Sequence, residues 1–125
     1  MTINELREQV CEANLELVRQ GMVTYTWGNV SAIDRDSDTV AIKPSGVPYE
    51  QLKPEDIVLL QLDGTVLEDG LRPSSDTPTH LCLYRACPQI GGIAHSHSTY
   101  ATIFAQACRP IPCLGTTHAD HFYGE

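Results

Sequence analysis

The chain has few basic residues and no long apolar run. Eight Lys and Arg stand against sixteen Asp and Glu, a formal net charge of −8, which disfavours any broad surface tracking a phosphate backbone and speaks against a nucleic-acid partner. An anionic ligand would have to be met locally, by backbone N–H groups, a few hydroxyls or one lysine, because the global field repels it. No stretch approaches the roughly 20 apolar residues of a membrane span, and the amphipathic, acid-containing start Met1–Gln20 lacks the apolar centre of a signal peptide. A cytoplasmic protein with no membrane partner is therefore expected. Hydrophobic residues make up 42% and charged ones 19% of the 125 residues, an ordinary globular composition with enough chain for one domain and too little for two. No internal repeat is visible.

Five cysteines (Cys11, Cys82, Cys87, Cys108, Cys113) are an odd number in a chain with no export signal, so reduced, buried thiols are expected. The two C-x4-C spacings invite a zinc cluster. For Cys82 and Cys87 the helical pattern argues against it, since five steps of about 100° leave them roughly 140° apart; core packing of small apolar thiols is the stronger reading.

Apolar spacing at Leu6, Val10, Ala13 and Leu17, flanked by Leu15 and Val18, predicts a helix over residues 2–20, capped by Thr2 or Asn4 and ended by Gly21. Short β-branched and aromatic runs at Val23–Trp27, Val30–Ile33 and Thr39–Lys43 predict a strand meander. Asp63-Gly64 predicts a tight hairpin between Ile57–Leu62 and Thr65–Glu68, arguing against an all-parallel sheet. A helix from about Thr77 to Ala86 should have Thr77 as its cap and Pro78 at its first position. Ile93–His97 reads as a strand and Thr99–Cys108 as a helix. Arg109–Glu125, rich in Gly, Pro and Thr, reads as loop with one possible strand.

Chemistry concentrates at five places. In His95-Ser96-His97, residues two apart on a strand face the same way with Cα atoms roughly 6.5 to 7 Å apart, so the imidazoles could converge on one metal ion; equally, one could be a core histidine and the other a surface residue. Asp76, just before a helix, is a natural carboxylate ligand or a plain helix cap. Ser74 and Ser75 offer hydroxyls at the same helix end, and the Gly28-Asn29 and Ser45-Gly46 pairs allow a close backbone approach to an anion, with Lys43 supplying a point charge; each pair could also be only a cap or a turn. His80, one turn after Asp76, reads as packing or as orienting another group rather than ligating. Thr116-Thr117-His118-Ala119-Asp120-His121 is a polar, glycine-led segment suited to a catalytic acid or base, or simply a solvated loop.

Five ordered segments, Thr26-Trp27-Gly28-Asn29-Val30-Ser31-Ala32, Ile42-Lys43-Pro44-Ser45-Gly46-Val47, Pro73-Ser74-Ser75-Asp76-Thr77-Pro78-Thr79-His80, Gly91-Gly92-Ile93-Ala94-His95-Ser96-His97-Ser98 and Gly115-Thr116-Thr117-His118-Ala119-Asp120, together resemble the L-ribulose-5-phosphate 4-epimerases of the class II aldolase superfamily. The likeness covers about the N-terminal half of such a protein. It implies an α/β fold, a three-layer αβα arrangement with a largely antiparallel central sheet, and a homotetramer with active sites at subunit interfaces. It makes Asp76, His95 and His97 ligands of Zn2+, with Mn2+ or Co2+ also compatible with such donors. Gly28, Asn29, Lys43, Ser45, Gly46, Ser74 and Ser75 would bind a phosphorylated ketopentose, and Asp120 would be one member of the proton-transfer pair. The family's catalytic tyrosine and third histidine ligand are expected past Glu125, so the chain is expected to be a C-terminally truncated single domain that is inactive or weakly active alone.

The implied reaction inverts C4, whose proton is not adjacent to the C2 ketone, so it must pass through C3–C4 cleavage and re-formation; arabinose and ascorbate routes both use it. The rival is a class II sugar-phosphate aldolase, which releases the aldehyde. In the resemblance, aspartate at position 76 favours the epimerase over the fuculose-type aldolase, which has glutamate there. A non-catalytic remnant that keeps the fold and the phosphate pocket is the third reading.

Overall fold

The computed structural model describes residues 1–122. Helix α1 spans Ile3–Arg19. The Glu5 N–H donates to Thr2 Oγ1 at 3.2 Å and the Thr2 N–H to Glu5 Oε2 at 2.7 Å, a reciprocal cap that satisfies two donors the first turn leaves open. At the other end Gly21 adopts φ +66°. The N–H groups of Gly21 and Met22 reach back to the carbonyls of Val18 and Leu17, a left-handed termination that suits glycine. The buried stripe is Leu6, Val10, Cys11, Asn14 and Leu17, so Cys11 and Asn14 stand where the periodicity pointed to Ala13. Asn14 is admitted because it is satisfied: Nδ2 donates to the carbonyls of Val10 (2.7 Å) and Val30 (3.0 Å), and Oδ1 accepts from the Val30 N–H (2.8 Å).

Four strands, β1 (Asn29–Asp34), β2 (Thr39–Ile42), β3 (Val58–Gln61) and β4 (Gly92–His95), form one sheet in the order β3-β2-β1-β4, antiparallel at every junction. Successive strand residues face opposite sides, and the two sides carry separate cores. Ala32, Ala41 and Leu59 pack with Leu6, Val10 and Cys11 of α1. Ile33 and Val40 pack with Leu81 and Tyr84 of α2 (Thr77–Ala86) on the opposite face. The three-layer α/β architecture with an antiparallel sheet is the fold class expected from the sequence.

Several local expectations are corrected. Val23–Trp27 is not a strand. The Trp27 N–H closes onto the Thr24 carbonyl at 3.1 Å in a tight turn, with Tyr25 at φ +56°, and the Tyr25 and Trp27 side chains are exposed. The Asp63-Gly64 turn forms, with Gly64 at φ +99°, but the return arm makes only a single bridge, Leu60 to Val66. Val66 and Leu67 are exposed, so no buried face extends the pairing. β4 ends at His95 because its partner begins at Asn29. The helix after it, α3, covers Thr99–Gln106. The segment expected to be a loop holds α4, Thr116–Phe122; the part of that expectation falling on residues 123–125 lies outside the described residues. The thiols are free, but of the five only Cys11 is buried, and Cys82, Cys108 and Cys113 are exposed. A helix surface and an exposed tail hold cysteines that composition assigned to the core.

Candidate functional site

The Asn29–His95 register of β1 and β4 sets two polar side chains opposite each other at the sheet end, facing the start of α2. Asp76 occupies the cap position of that helix, with Thr77 and Pro78 following as the first helical residues, one step earlier than the sequence suggested. Its carboxylate makes no capping bond. Instead Oδ2 accepts from Asn29 Nδ2 at 2.7 Å and lies 3.0 Å from His95 Nδ1. The Thr77 hydroxyl turns away and donates to the Ser74 carbonyl at 2.6 Å. His97, two residues past His95 and beyond the strand, brings its ring to 4.8 Å from that of His95, centroid to centroid. The Trp27 ring lies 5.8 Å from it on the other side.

In front of this group is a cavity of about 380 Å³, lined by Gly28, Asn29, Lys43, Ser45, Gly46, Ser74, Ser75, Asp76 and His97, with Thr26, Trp27 and Pro44. All seven residues expected to bind substrate line it, and so do two of the three expected metal ligands. His95 lies behind Asp76 and lines a neighbouring cavity of about 440 Å³ with His80 and Ser96. The cradle is built by pairing loops far apart in sequence. The Ser45 N–H donates to the Arg72 carbonyl at 2.9 Å and the Ser74 N–H to the Lys43 carbonyl at 3.1 Å. Those two amides therefore hold the frame and do not face a ligand. Gly28 is required where it stands: at φ +97° an added Cβ would come within 2.8 Å of the His95 carbonyl oxygen.

Burial pushes the Asp76 carboxyl upward, but the Asn29 hydrogen bond, the His95 charge and hydrogen bond and the charge of His80 outweigh it, leaving the group below its ordinary value. The carboxylate is thus kept ionised. Burial lowers the His80 pKa, against the pull of Asp76, and the ring is fixed by a bond of 2.7 Å between Nδ1 and Ser31 Oγ, which also meets the Tyr84 hydroxyl at 2.7 Å. His80 packs, as expected. Lys43 is buried, with Nζ donating to the Val47 carbonyl at 2.7 Å and lying 4.6 Å from the Tyr49 ring centre. Desolvation lowers its pKa.

One carboxylate and two imidazoles are a borderline-hard donor set of the kind that suits a zinc-type divalent ion, and the ionised Asp76 fits it. As the side chains lie, Asp76 and His95 bond each other, and among the described residues no three His, Cys, Asp or Glu side chains stand grouped to hold an ion. Asp120 lies exposed on α4 and does not line the cavity. Tyr49 and Tyr84 were missed as supports, and nothing in local spacing signals them; Ser31 was also not marked as a support, although it stands in the Thr26–Ala32 motif. Thr26 and Trp27 were marked only by the motif they belong to.

This sheet, helix pair and cradle define the protein's class: the signature of the Class II Aldolase and Adducin N-terminal domain matches residues 8–125, and the chain belongs to that family. It is 58% identical over 123 residues to the L-ribulose-5-phosphate 4-epimerase UlaF of Salmonella paratyphi C (strain RKS4594), a match covering 98% of this chain and 54% of that protein. The chain therefore spans about half the length of the curated relatives it matches. A solved L-fuculose 1-phosphate aldolase superposes with a TM-score of 0.81 at 34% identity, over 87% of this chain and 51% of the other. The L-fuculose 1-phosphate aldolase from Glaciozyma antarctica PI12, at 23% identity and TM-score 0.80 over 98% of this chain and 53% of the other, shares the fold. Among the described residues no helix is long and apolar enough to cross a membrane.

Proposed function

We propose that the chain carries the substrate-binding and metal-binding half of an L-ribulose-5-phosphate 4-epimerase, acting on a phosphorylated ketopentose. The carrying observation is the convergence on one cavity of the glycine and serine turns with the Asp76 group, in a chain 58% identical to a protein named for that reaction. Asp76, His95 and His97 would hold a divalent cation, zinc in the first instance. Such an ion would supply Lewis-acid stabilisation of the negative charge that develops when C3–C4 breaks.

The chain's own residues do the rest. The Gly28-Asn29 and Ser45-Gly46 turns, with the Ser75 hydroxyl and the buried Lys43 charge, anchor the phosphate, so the cleaved glycolaldehyde phosphate stays in place while it turns and rejoins. Asn29 donates to Asp76 and keeps the carboxylate ionised and aimed. Asp120 is assigned one side of the proton transfer; as it stands on α4 outside the cavity, that role requires the helix to meet the site from another part of the assembly. A tetramer with shared sites and a cytoplasmic location belong to the same reading.

The test is L-ribulose 5-phosphate with zinc and the 125-residue chain, read by calorimetric binding and by an assay coupled to D-xylulose 5-phosphate. Binding is expected, lost in an Asp76→Ala control that no longer holds zinc, with turnover absent or very weak; turnover near that of a full-length epimerase would refute the inactive-piece reading. Release of free glycolaldehyde phosphate would make the protein an aldolase instead. Failure to bind the sugar phosphate would overturn the reading.

A further inference from the structure

The two glycine turns of the cavity sit at different strand ends, and one buried side chain reaches both. Tyr49, only 3% exposed, donates its hydroxyl to the Gly28 carbonyl at 2.8 Å. Its ring faces Lys43 Nζ, 4.6 Å from the ring centre, and that ammonium donates to the carbonyls of Val47 at 2.7 Å and Pro44 at 3.4 Å, which bracket the Ser45-Gly46 turn. Gly28 is confined from the opposite side by the His95 carbonyl. Lys43 has no carboxylate among these partners; carbonyl dipoles and the negative face of the ring hold its charge. Burial pushes the Tyr49 phenol up to about 12, so it stays a hydrogen-bond donor across the working range.

We propose that Tyr49 is a positioning residue for the anion-binding side of this cavity: its hydroxyl fixes the Gly28-Asn29 turn and its ring fixes the Lys43 ammonium under the Ser45-Gly46 turn. The inference rests on reading the cavity as a sugar-phosphate site, and it makes the two halves of the tyrosine separable. Tyr49→Phe removes the hydroxyl and keeps the ring over Lys43, whereas Tyr49→Leu removes both.

Two readouts test it. Calorimetry with inorganic phosphate and with L-ribulose 5-phosphate reports the anion site, and competitive acetic-anhydride labelling, read by mass spectrometry, reports Lys43 against Lys53, the chain's only other lysine and an exposed one. Tyr49→Phe should weaken phosphate binding about fivefold, the scale of one lost hydrogen bond, and leave the Lys43 to Lys53 labelling ratio at its wild-type value. Tyr49→Leu should weaken binding further and raise that ratio about tenfold as the cation loses its ring. A merely structural role would lower the unfolding midpoint while leaving both readouts unchanged in the folded protein. Wild-type phosphate affinity in Tyr49→Phe, or an unchanged labelling ratio in Tyr49→Leu, would overturn the proposal; should the leucine variant not fold, the phenylalanine variant decides. If the wild-type chain binds neither anion, the sugar-phosphate reading falls, and the labelling ratio alone then settles whether Tyr49 holds Lys43.

Discussion

Asn29 Nδ2 donates to Asp76 Oδ2 at 2.7 Å, joining residues 47 positions apart. The bond ties the first residue of β1 to the residue that caps α2. A second tie two residues along, from Ser31 through its hydroxyl to His80 and Tyr84, fastens the same strand to the same helix. The start of the helix is therefore tied to the end of the strand, which places Asp76 beside His95.

Gly28→Ala should be among the most disruptive small changes. The methyl would meet the His95 carbonyl oxygen at 2.8 Å in a backbone at φ +97°, so strain and collision add to a loss of about 2 kcal/mol or more. Urea unfolding measures it; a midpoint equal to wild type would contradict the crowding at this turn.

Asn14→Leu keeps the branched shape of the side chain and deletes the polar contacts. The Val30 N–H and carbonyl would lose their partners inside the α1–sheet layer, costing about 2 to 4 kcal/mol. Chemical denaturation checks the value, and a stabilised variant would show that water replaces the lost bonds.

His97→Asn is expected to reduce zinc retention after gel filtration strongly, measured by atomic emission, while Ser75→Ala keeps the metal and weakens binding of L-ribulose 5-phosphate about tenfold. Equal zinc in wild type and His97→Asn would remove His97 from the ligand set. Loss of zinc in Ser75→Ala would show that the serine serves the ion and not the sugar phosphate.

His80 sets a pH dependence of stability. Burial lowers its folded pKa below the unfolded value, so between the two values the unfolded chain binds more protons. Its neutral form contributes stability that is fully present above the unfolded pKa of about 6.5 and is lost as pH falls toward the folded value. Denaturant midpoints at pH 7.5 and 5.5 should differ more for wild type than for His80→Asn, which retains a polar partner for Ser31. Equal differences in the two proteins would sink the assignment.

Much of the fold was legible because it is local. The spacing of Leu6, Val10 and Leu17, the Thr2 cap and Gly21 act within a few residues of one another, and the helix forms within a residue of its expected bounds. β1 and β2 were legible from β-branched runs. The return arm after Gly64 and the run at Val23–Trp27 have strand composition but no layer to bury it, while Thr116–Phe122 has loop composition and is helical. Composition carries no information about which neighbours are present.

The candidate site divides the same way. Residue types and their order along the chain determined by themselves that a carboxylate, two imidazoles and paired glycine and serine turns would be available, because cap, turn and strand preferences are short-range. Only the tertiary structure decided that Asp76 turns its carboxylate away from its own helix toward Asn29 and His95, and that Tyr49 reaches from Lys43 to Gly28. Those partners lie 47 and 19 positions from Asp76 and, for Tyr49 and Gly28, 21 apart. Hydrogen bonds over such separations exist only once antiparallel pairing and the two buried layers have fixed where each strand ends.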